Sequence, residues 1–252
     1  MPTGFERPTP GTAIAALLLA LGALAYPLLG DQAIERLGVR VTAGTLLAAV
    51  LIAMVVRLAV ERRPLRLLAQ NAGALVLLGL ATGSADRTYL YLFPALVNLY
   101  LAAIFAGSVA SRASIVERGA RLVQPYLPSF TLAYCRRLTL LWAAFFAANC
   151  VWIGVLAFGP TEPWRRYTVV VYPGLIAMLC AIEFLVRKSW FRYYGDGPLD
   201  RTLAGLFPPE VNERGRRSQR YISALRAAGY GPGGARRGEP LDASLVPDVL
   251  HL

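Results

Sequence analysis

Leu138–Phe158 reads LTLLWAAFFAANCVWIGVLAF, an unbroken run of 21 residues without a charged side chain. An α-helix needs about 20 mostly apolar residues to cross the hydrocarbon core of a bilayer, so this stretch predicts a membrane-spanning helix. Five other stretches have a comparable length and composition: Thr12–Leu29, Val41–Val60, Leu67–Gly83, Tyr89–Ala110 and Thr168–Val186. We therefore predict an all-α fold, a polytopic membrane bundle of about six transmembrane helices within residues 1–190.

The composition of the whole chain supports this class. Hydrophobic residues make up 56% of the 252 residues and charged residues only 16%, whereas soluble domains carry about 25% charge. The formal net charge is +11, which in a soluble protein would suggest a nucleic-acid partner. Here most arginines flank apolar spans, where membrane topology explains them. No nucleic-acid partner is predicted.

The loops predict the orientation. Arg and Lys favour the cytoplasmic side of a membrane, and six spans place the N-terminus, the second and fourth loops and the tail on one side. That side carries 21 basic residues and the other side 5. We predict a multi-pass protein of the bacterial inner membrane with both termini cytoplasmic. Ala23-Leu24-Ala25 resembles a signal-peptide cleavage site, but Glu6 offsets Arg7 in the leader, so an uncleaved first span is favoured.

Two segments outside the spans have helical patterns. In the fourth loop, Ala113, Val116 and Ala120 recur at helical spacing, which predicts a short helix that extends span four or lies on the membrane. Residues 191–252 form a predicted cytoplasmic tail. Its residues 210–230 predict a short basic amphipathic helix, followed by a disordered Gly/Arg-rich end. This helix either rests on anionic lipid or is solvated.

Several kinds of catalysis are excluded by what the sequence lacks. The only histidine is His251, which excludes an HExxH zinc site and a Ser-His-Asp triad. No Walker A or GxGxxG motif is present. The three cysteines have no metal-ligand spacing, so no metal site and no cofactor are predicted. An enzyme is therefore the less favoured interpretation.

Six residues are candidates for binding a ligand. Glu183 is the one carboxylate inside a predicted span, near the inner end of span six, and Arg187 follows it by one helical turn. This pair is either a structural ion pair or part of a site that binds a polar substrate or carries a proton. Arg136 and Arg137 could hold a phosphate or carboxylate head group, with Trp142 packing on an apolar chain; the alternative is an ordinary cytoplasmic anchor. Asn149, like Asn71 and Asn98, either bonds between helices or lines a shared polar pocket.

An ordered set of short motifs resembles one particular family. They are ERGAR at 117–121, PYLP at 125–128, YCRRLT at 134–139, then Trp142, Phe145-Phe146 and Asn149, and EFLVRK at 183–188. The chain resembles, over residues 60–190, a group of uncharacterised bacterial inner-membrane proteins found among genes for aryl-polyene (xanthomonadin-type) pigments and their fatty-acid-synthase-like enzymes. Spans five and six are also distantly similar to intracellular septation protein A.

The resemblance implies a role in acyl or aryl-polyene lipid metabolism. The favoured hypothesis is a non-catalytic inner-membrane accessory protein, with membrane lipids and acyl-carrier-protein-dependent enzymes as its partners. Basic residues on the inner face suit acidic carrier proteins. The alternatives are a lipid or pigment transporter, a septation-like envelope protein and, least favoured, a membrane enzyme that uses Glu183. The oligomeric state is not predicted.

Overall fold

The computed structural model describes residues 29–30, 32–61, 64–123, 127, 129–192, 194 and 197–227. Most of these residues are helical, and none of them belongs to a strand. The helices are α1 Val39–Glu61, α2 Pro64–Ser84, α3 Thr88–Tyr91, α4 Phe93–Val109, α5 Ile115–Val123, α6 Leu132–Ala157, α7 Thr161–Arg166, α8 Tyr172–Phe191, α9 Pro198–Leu206 and α10 Glu213–Ala227. Residues 32–37 are also helical. Single 3-10 turns occupy Ser129–Thr131 and Pro209–Val211, and a π turn at Tyr167–Val171 joins α7 to α8.

Five helical segments of the described chain are long and apolar enough to cross a membrane. They are Val39–Leu58, Leu67–Ser84, Arg87–Val109, Leu132–Ala157 and Thr161–Phe191. Each corresponds to one of the predicted spans two to six. The first predicted span, Thr12–Leu29, lies outside the described residues apart from Leu29. The all-α class is confirmed, and the five apolar helices of the described chain are consistent with a helical membrane bundle; six spans are not confirmed.

The surface of α1 is typical of a helix that faces lipid. Ile52, Val55 and Val56 are each at least 60% exposed. Soluble proteins rarely expose contiguous apolar patches of this kind, whereas lipid tails solvate such side chains. The burial pattern thus agrees with the membrane class that composition predicts.

Two helices are longer than their predicted spans. Helix α6 begins at Leu132, before the predicted start at Leu138, and α8 continues to Phe191, beyond the predicted end at Val186. In both cases basic residues end the apolar run, but Arg and Lys are good helix formers. The charged ends therefore stay helical although they are too polar for the hydrocarbon core.

The described chain groups into two compact units. The first comprises residues within 1–104 and 143–174, and the second residues within 105–142 and 175–252. In the first unit α1 packs against α2, and Ala43, Leu78, Ala81 and Leu90 form a buried cluster. A second cluster in that unit is centred on Trp164, whose ring stacks on Tyr91 at 4.2 Å and whose Nε1 donates to the Tyr91 carbonyl.

The second unit contains α5, the start of α6, the end of α8, and α9 and α10. Helix α5 is separate from α4, because residues 110–114 intervene and Ser114 starts a new helix by accepting the Glu117 N–H through its Oγ at 3.3 Å. The short helix itself is confirmed, and of its two interpretations the extension of span four is wrong; a helix that lies on the membrane stays a prediction. Asn212 starts α10 in the same way, since its Oδ1 accepts the Gly215 N–H at 2.6 Å.

Candidate functional site

A cavity of about 570 Å³ lies in the second unit. This volume is within the range of small-molecule sites, which usually enclose about 300–1,000 Å³. The cavity is bounded by α5, α6, α8 and α10, and by the Ser129–Thr131 turn. Its lining residues are Val116, Gly119, Ala120, Leu127, Phe130, Thr131, Tyr134, Cys135, Leu138, Trp142, Glu183, Phe184, Arg187, Lys188, Phe191, Ser218 and Tyr221.

Most of the wall is apolar and aromatic. Phe191 is its centre: the ring of Tyr134 meets it edge-on at 5.2 Å, and the ring of Phe130 lies at 6.0 Å. Trp142, on the same helix as Tyr134, contacts Phe105 at 6.4 Å. Aromatic side chains contribute large apolar areas with little freedom of rotation. This wall is therefore suited to an apolar chain or a flat conjugated group.

One part of the wall is charged. The Glu183 carboxylate lies 3.2 Å from Arg187 Nε, and it accepts the Tyr134 hydroxyl at 3.4 Å. The Glu183 side chain is 19% exposed and that of Arg187 51% exposed. The ion pair and the Tyr134 hydroxyl give the half-buried Glu183 carboxylate its partners, while about half of the Arg187 side chain remains accessible. An anionic head group can bind there without displacing Glu183.

Lys188 adds a second cation beside Arg187. Its Nζ lies 2.6 Å from the Asp200 carboxylate, and both side chains are 17% exposed. The same Nζ sits 5.8 Å from the Phe184 ring centre and 5.9 Å from that of Tyr194, which is within cation–π range. This ion pair ties the end of α8 to α9 and fixes the charged part of the wall.

The tail contributes to the cavity. Tyr221 of α10 is fully buried and Ser218 is 2% exposed, and both line the cavity. Neither of the two sequence interpretations of this helix, a lipid-bound helix or a solvated one, anticipated that it packs against the ends of the spans.

A buried carboxylate, Glu117, lies on α5 and was not predicted as a functional residue. It is 4% exposed, and its Oε1 accepts Nε and Nη2 of Arg121 at 2.9 and 2.8 Å. The spacing Ser114-x-x-Glu117 is the start of a capping box and is the signal that could have located it. The Glu117–Arg121 ion pair lies within α5 and stabilises this helix. The same helix supplies Val116 and Ala120 to the cavity.

The structure brings together only some of the six candidate residues. Trp142, Glu183 and Arg187 line the cavity. Arg136 and Arg137 are exposed on the opposite side of α6 and are not among its lining residues. Asn149 belongs to the first unit, where its role is different.

Asn149 is one of two amides that bind a tyrosine of the last span. The Tyr167 hydroxyl donates to Asn149 Oδ1 at 2.6 Å, and the Tyr172 hydroxyl donates to Asn98 Oδ1 at 2.9 Å. Each amide Nδ2 donates to the carbonyl four residues earlier in its own helix. These are interhelical bonds, as the packing interpretation predicts, while Asn71 donates to Leu67 of its own helix.

The π turn explains how both tyrosines reach their partners. Tyr167 and Tyr172 are five residues apart, and in an α-helix this spacing would direct them about 140° apart. The turn Tyr167–Val171 widens the helix by one residue, and the Tyr172 N–H bonds to the Tyr167 carbonyl. Such π bulges rotate the following residues relative to the preceding ones. The two hydroxyls can therefore point to nearly the same side.

Comparison of the chain with protein-family models, with curated proteins and with solved structures found no match. The family resemblance of the sequence therefore stays a prediction. Within the described residues, no group of three or more His, Cys, Asp or Glu side chains is placed to hold a metal ion.

Proposed function

We propose that this chain is a non-catalytic accessory protein of the bacterial inner membrane that binds an amphipathic acyl or polyene lipid in the cavity of its second unit. The observation that carries the proposal is the combination of an aromatic wall and an accessible guanidinium, that of Arg187, in one cavity. Such a cavity matches a molecule with a long apolar chain and one anionic end.

Two parts of the ligand contribute differently to binding. Burial of its apolar chain supplies the affinity, and its head group determines which ligands the cavity prefers. Apolar area removed from water contributes roughly 25 cal/mol per Å², so the wall of Phe130, Trp142, Phe184 and Phe191 supplies most of the affinity. A carboxylate or phosphate gains charge-assisted hydrogen bonds at Arg187. Glu183 and Asp200 neutralise part of the local positive charge, so the preference for an anionic head group depends on the accessible part of the Arg187 guanidinium.

The sidedness of the membrane supports the same role. The cavity is built from the fourth loop, the tail and the adjoining span ends, and these segments carry most of the basic residues of the chain. By the positive-inside rule they are cytoplasmic. A lipid made by soluble enzymes of the cytoplasm would enter the cavity from that side.

Lipid binding can be measured with parinaric acid, a fluorescent conjugated fatty acid, on the purified chain in a neutral detergent. Ala120→Phe fills the cavity and is expected to weaken binding at least tenfold, about 1.4 kcal/mol. Ala148→Phe, at an exposed position of α6, is the matched control and should bind as the unmodified protein does. Equal affinity of the two folded variants would contradict the proposal.

The head-group assignment has its own test. The unmodified protein is expected to prefer parinaric acid to its methyl ester, because only the acid can pair with Arg187. Arg187→Gln should remove that preference, whereas Arg136→Gln, exposed outside the cavity, should keep it. If Arg187→Gln retains the full preference, the charged part of the wall does not select the ligand.

We further propose that Arg136 and Arg137 dock acidic, acyl-carrier-protein-dependent enzymes. Both side chains are exposed, and complementary charge raises association rates and specificity. Arg136→Glu combined with Arg137→Glu should abolish co-purification of such enzymes, and Arg165→Glu with Arg166→Glu, at the opposite predicted face, should not. Unchanged co-purification in the first variant would refute the docking role.

A deletion strain separates the accessory role from transport. Loss of most of the acyl or polyene product is expected, because its synthesis depends on the accessory protein. Product that is made in normal amount but stays in the inner membrane would instead indicate a transporter.

A further inference from the structure

A second concave surface in the second unit has a different chemistry. It is an open groove of about 960 Å³, bounded by the residues after α8, by α9 and by α10. Its polar lining residues are Arg192, Tyr194, Arg216, Gln219, Arg220 and Ser223, and none of them lines the lipid cavity. We call this surface the basic groove. It is independent of the proposed lipid site.

Helix α10 separates the two surfaces. Arg216, Gln219, Arg220 and Ser223 recur at spacings of three and four residues, so they share one face of the helix. Ser218 and Tyr221 project from another face into the lipid cavity. The basic face therefore has a fixed position, because the buried face of the same helix is anchored by a fully buried tyrosine.

The arginines of the basic groove are held in place but not neutralised. Arg216 Nη2 and Arg220 Nη2 share the single carboxylate of Glu213, at 2.9 and 3.0 Å. Arg192 Nη1 donates to a neutral group, the Pro208 carbonyl. Glu210 lies at the edge, where it accepts Gln219 Nε2 at 3.4 Å. Three guanidinium groups thus face two carboxylates, and the groove keeps an excess positive charge.

Arg192 is held in an unusual backbone conformation. Its φ is +51°, a left-handed value that side chains other than glycine seldom adopt. It ends α8, because its N–H bonds to the Lys188 carbonyl at 2.9 Å, and the reversal directs its side chain to the Pro208 carbonyl beside α10. Strained residues of this kind concentrate where side chains must be positioned for a ligand.

We infer that the basic groove binds a phosphate group. Guanidinium forks match phosphate oxygens in pairs, and three forks from two separate segments can surround a tetrahedral dianion, which a planar carboxylate would engage less completely. The Gln219 amide and the Ser223 hydroxyl provide further polar contacts beside it. The phosphate is either the head group of a membrane lipid or part of a soluble phosphate ester.

The experiment uses the full chain in a maltoside detergent, which has no phosphate. Glycerol phosphate is titrated as the soluble probe, and nanodiscs with phosphatidic acid or with phosphatidylcholine alone provide the lipid probes. Arg216→Gln with Arg220→Gln should weaken binding at least tenfold, and Arg201→Gln, exposed on α9 outside the groove, should leave it unchanged. Arg216→Lys with Arg220→Lys should bind more tightly than the double glutamine variant but more weakly than the unmodified chain, because lysine retains the charge but lacks the guanidinium fork.

The outcomes decide both the site and the source of the phosphate. Saturable binding of glycerol phosphate that the double glutamine variant loses supports a site for soluble esters. Binding of phosphatidic acid nanodiscs alone, lost in the same variant, supports a lipid head group. Equal binding by the double variant and the unmodified chain, or no binding of any probe, overturns the inference.

Parinaric acid binding by the double variant serves as the folding control. The lipid cavity needs Tyr221 in place, so retained lipid binding shows that α10 still packs. Loss of phosphate binding with lipid binding intact therefore tests the basic groove alone, and it has no bearing on the proposed lipid function.

Discussion

Single hydroxyl groups connect the last span of the first unit to its neighbours. In hydrocarbon an unpaired amide has no water to bond with, so Asn98 and Asn149 each depend on a tyrosine. Tyr172→Phe and Tyr167→Phe should each lower the free energy of unfolding by about 0.6 kcal/mol, the average measured for interhelical bonds in a membrane protein, and by no more than about 1.7 kcal/mol. Denaturation in sodium dodecyl sulfate, followed by helicity, measures this change.

The control for these variants is Tyr100→Phe. Tyr100 is 49% exposed on α4, so the loss of its hydroxyl should change stability by less than either buried substitution. Unfolding curves of Tyr167→Phe and Tyr172→Phe that superimpose on the curve of Tyr100→Phe would show that the two bonds contribute nothing.

Glu213 is expected to make the tail sensitive to acid. Hydrogen bonding to Arg216, with the nearby charges of Arg216 and Arg220, lowers the pKa of this carboxyl below its usual 4.5. A lowered folded-state pKa stabilises the fold above pH 4.5, and this contribution is lost as the pH falls through the folded-state value. Proteolysis of the tail should therefore be slower in the unmodified chain than in Glu213→Gln at pH 7.

The difference between the two proteins should shrink as the pH falls below 4.5 and disappear once the pH is below the folded-state pKa of Glu213, where the carboxyl is protonated and resembles the amide. A constant difference across the whole range, measured with an acid-active protease, would show that the charge of Glu213 is not the cause. Glutamine retains the shape and part of the hydrogen bonding, so the comparison isolates the charge.

The sequence predicted local pairs of residues better than distant ones. Glu183 and Arg187 are one helical turn apart, and their ion pair follows from that spacing. Lys188 and Asp200 belong to different helices, and Tyr134 is 49 positions from Glu183. Such partners depend on how helices pack, which spacing along the chain does not encode. Arg136 and Arg137 precede the predicted start of span five at Leu138, so the sequence did not place them on one helix with Trp142. Because α6 begins at Leu132, helical spacing alone turns both arginines away from Trp142.

At the scale of helices, the packing of α10 depends on a glycine. A Cβ on Gly215 would collide with the carbonyl of Pro209, so the first turn of α10 lies directly against the Pro209–Val211 turn. Gly215→Ala should loosen the tail and weaken both lipid and phosphate binding. Because Ala is the better helix former by about 1 kcal/mol, any loss must come from the collision.

Gly205→Ala is the matched control. Gly205 lies in α9 and has open space where a Cβ would be, so this variant should be as stable as the unmodified chain or more stable. Limited proteolysis of the tail compares the two variants directly. A Gly215→Ala protein that resists proteolysis as well as Gly205→Ala does would show that the close contact is dispensable.

The hydropathy of the sequence predicted that the spans exist, but it predicted neither where their helices end nor what packs against them. Five apolar runs correspond to helices because nothing else satisfies the backbone of such a run in lipid. Their ends were misjudged where arginine or lysine continues the helix, as at the start of α6. The packing of Tyr221 into the lipid cavity was missed because an amphipathic helix fits a membrane surface and a protein surface equally well.

At the scale of the molecule, the uneven distribution of arginine predicts which side of the membrane holds the lipid cavity and the basic groove. Both surfaces belong to segments on the arginine-rich side, and the predicted division of 21 basic residues against 5 predicts that this side is cytoplasmic. A C-terminal green fluorescent protein should therefore fluoresce, and a C-terminal alkaline phosphatase, which needs an oxidising compartment, should stay inactive.

The side on which the N-terminus lies then distinguishes five spans from six, because an even number of spans places both ends of the chain on the same side of the membrane. With Thr12–Leu29 as an uncleaved sixth span, N-terminal and C-terminal reporters should both report the cytoplasm. If the N-terminal reporter lies outside while the C-terminal one lies inside, only the five described spans cross the membrane. A C-terminus outside the cytoplasm would be the more serious result, since it would put the lipid cavity and the basic groove out of reach of cytoplasmic enzymes and would refute the proposed function.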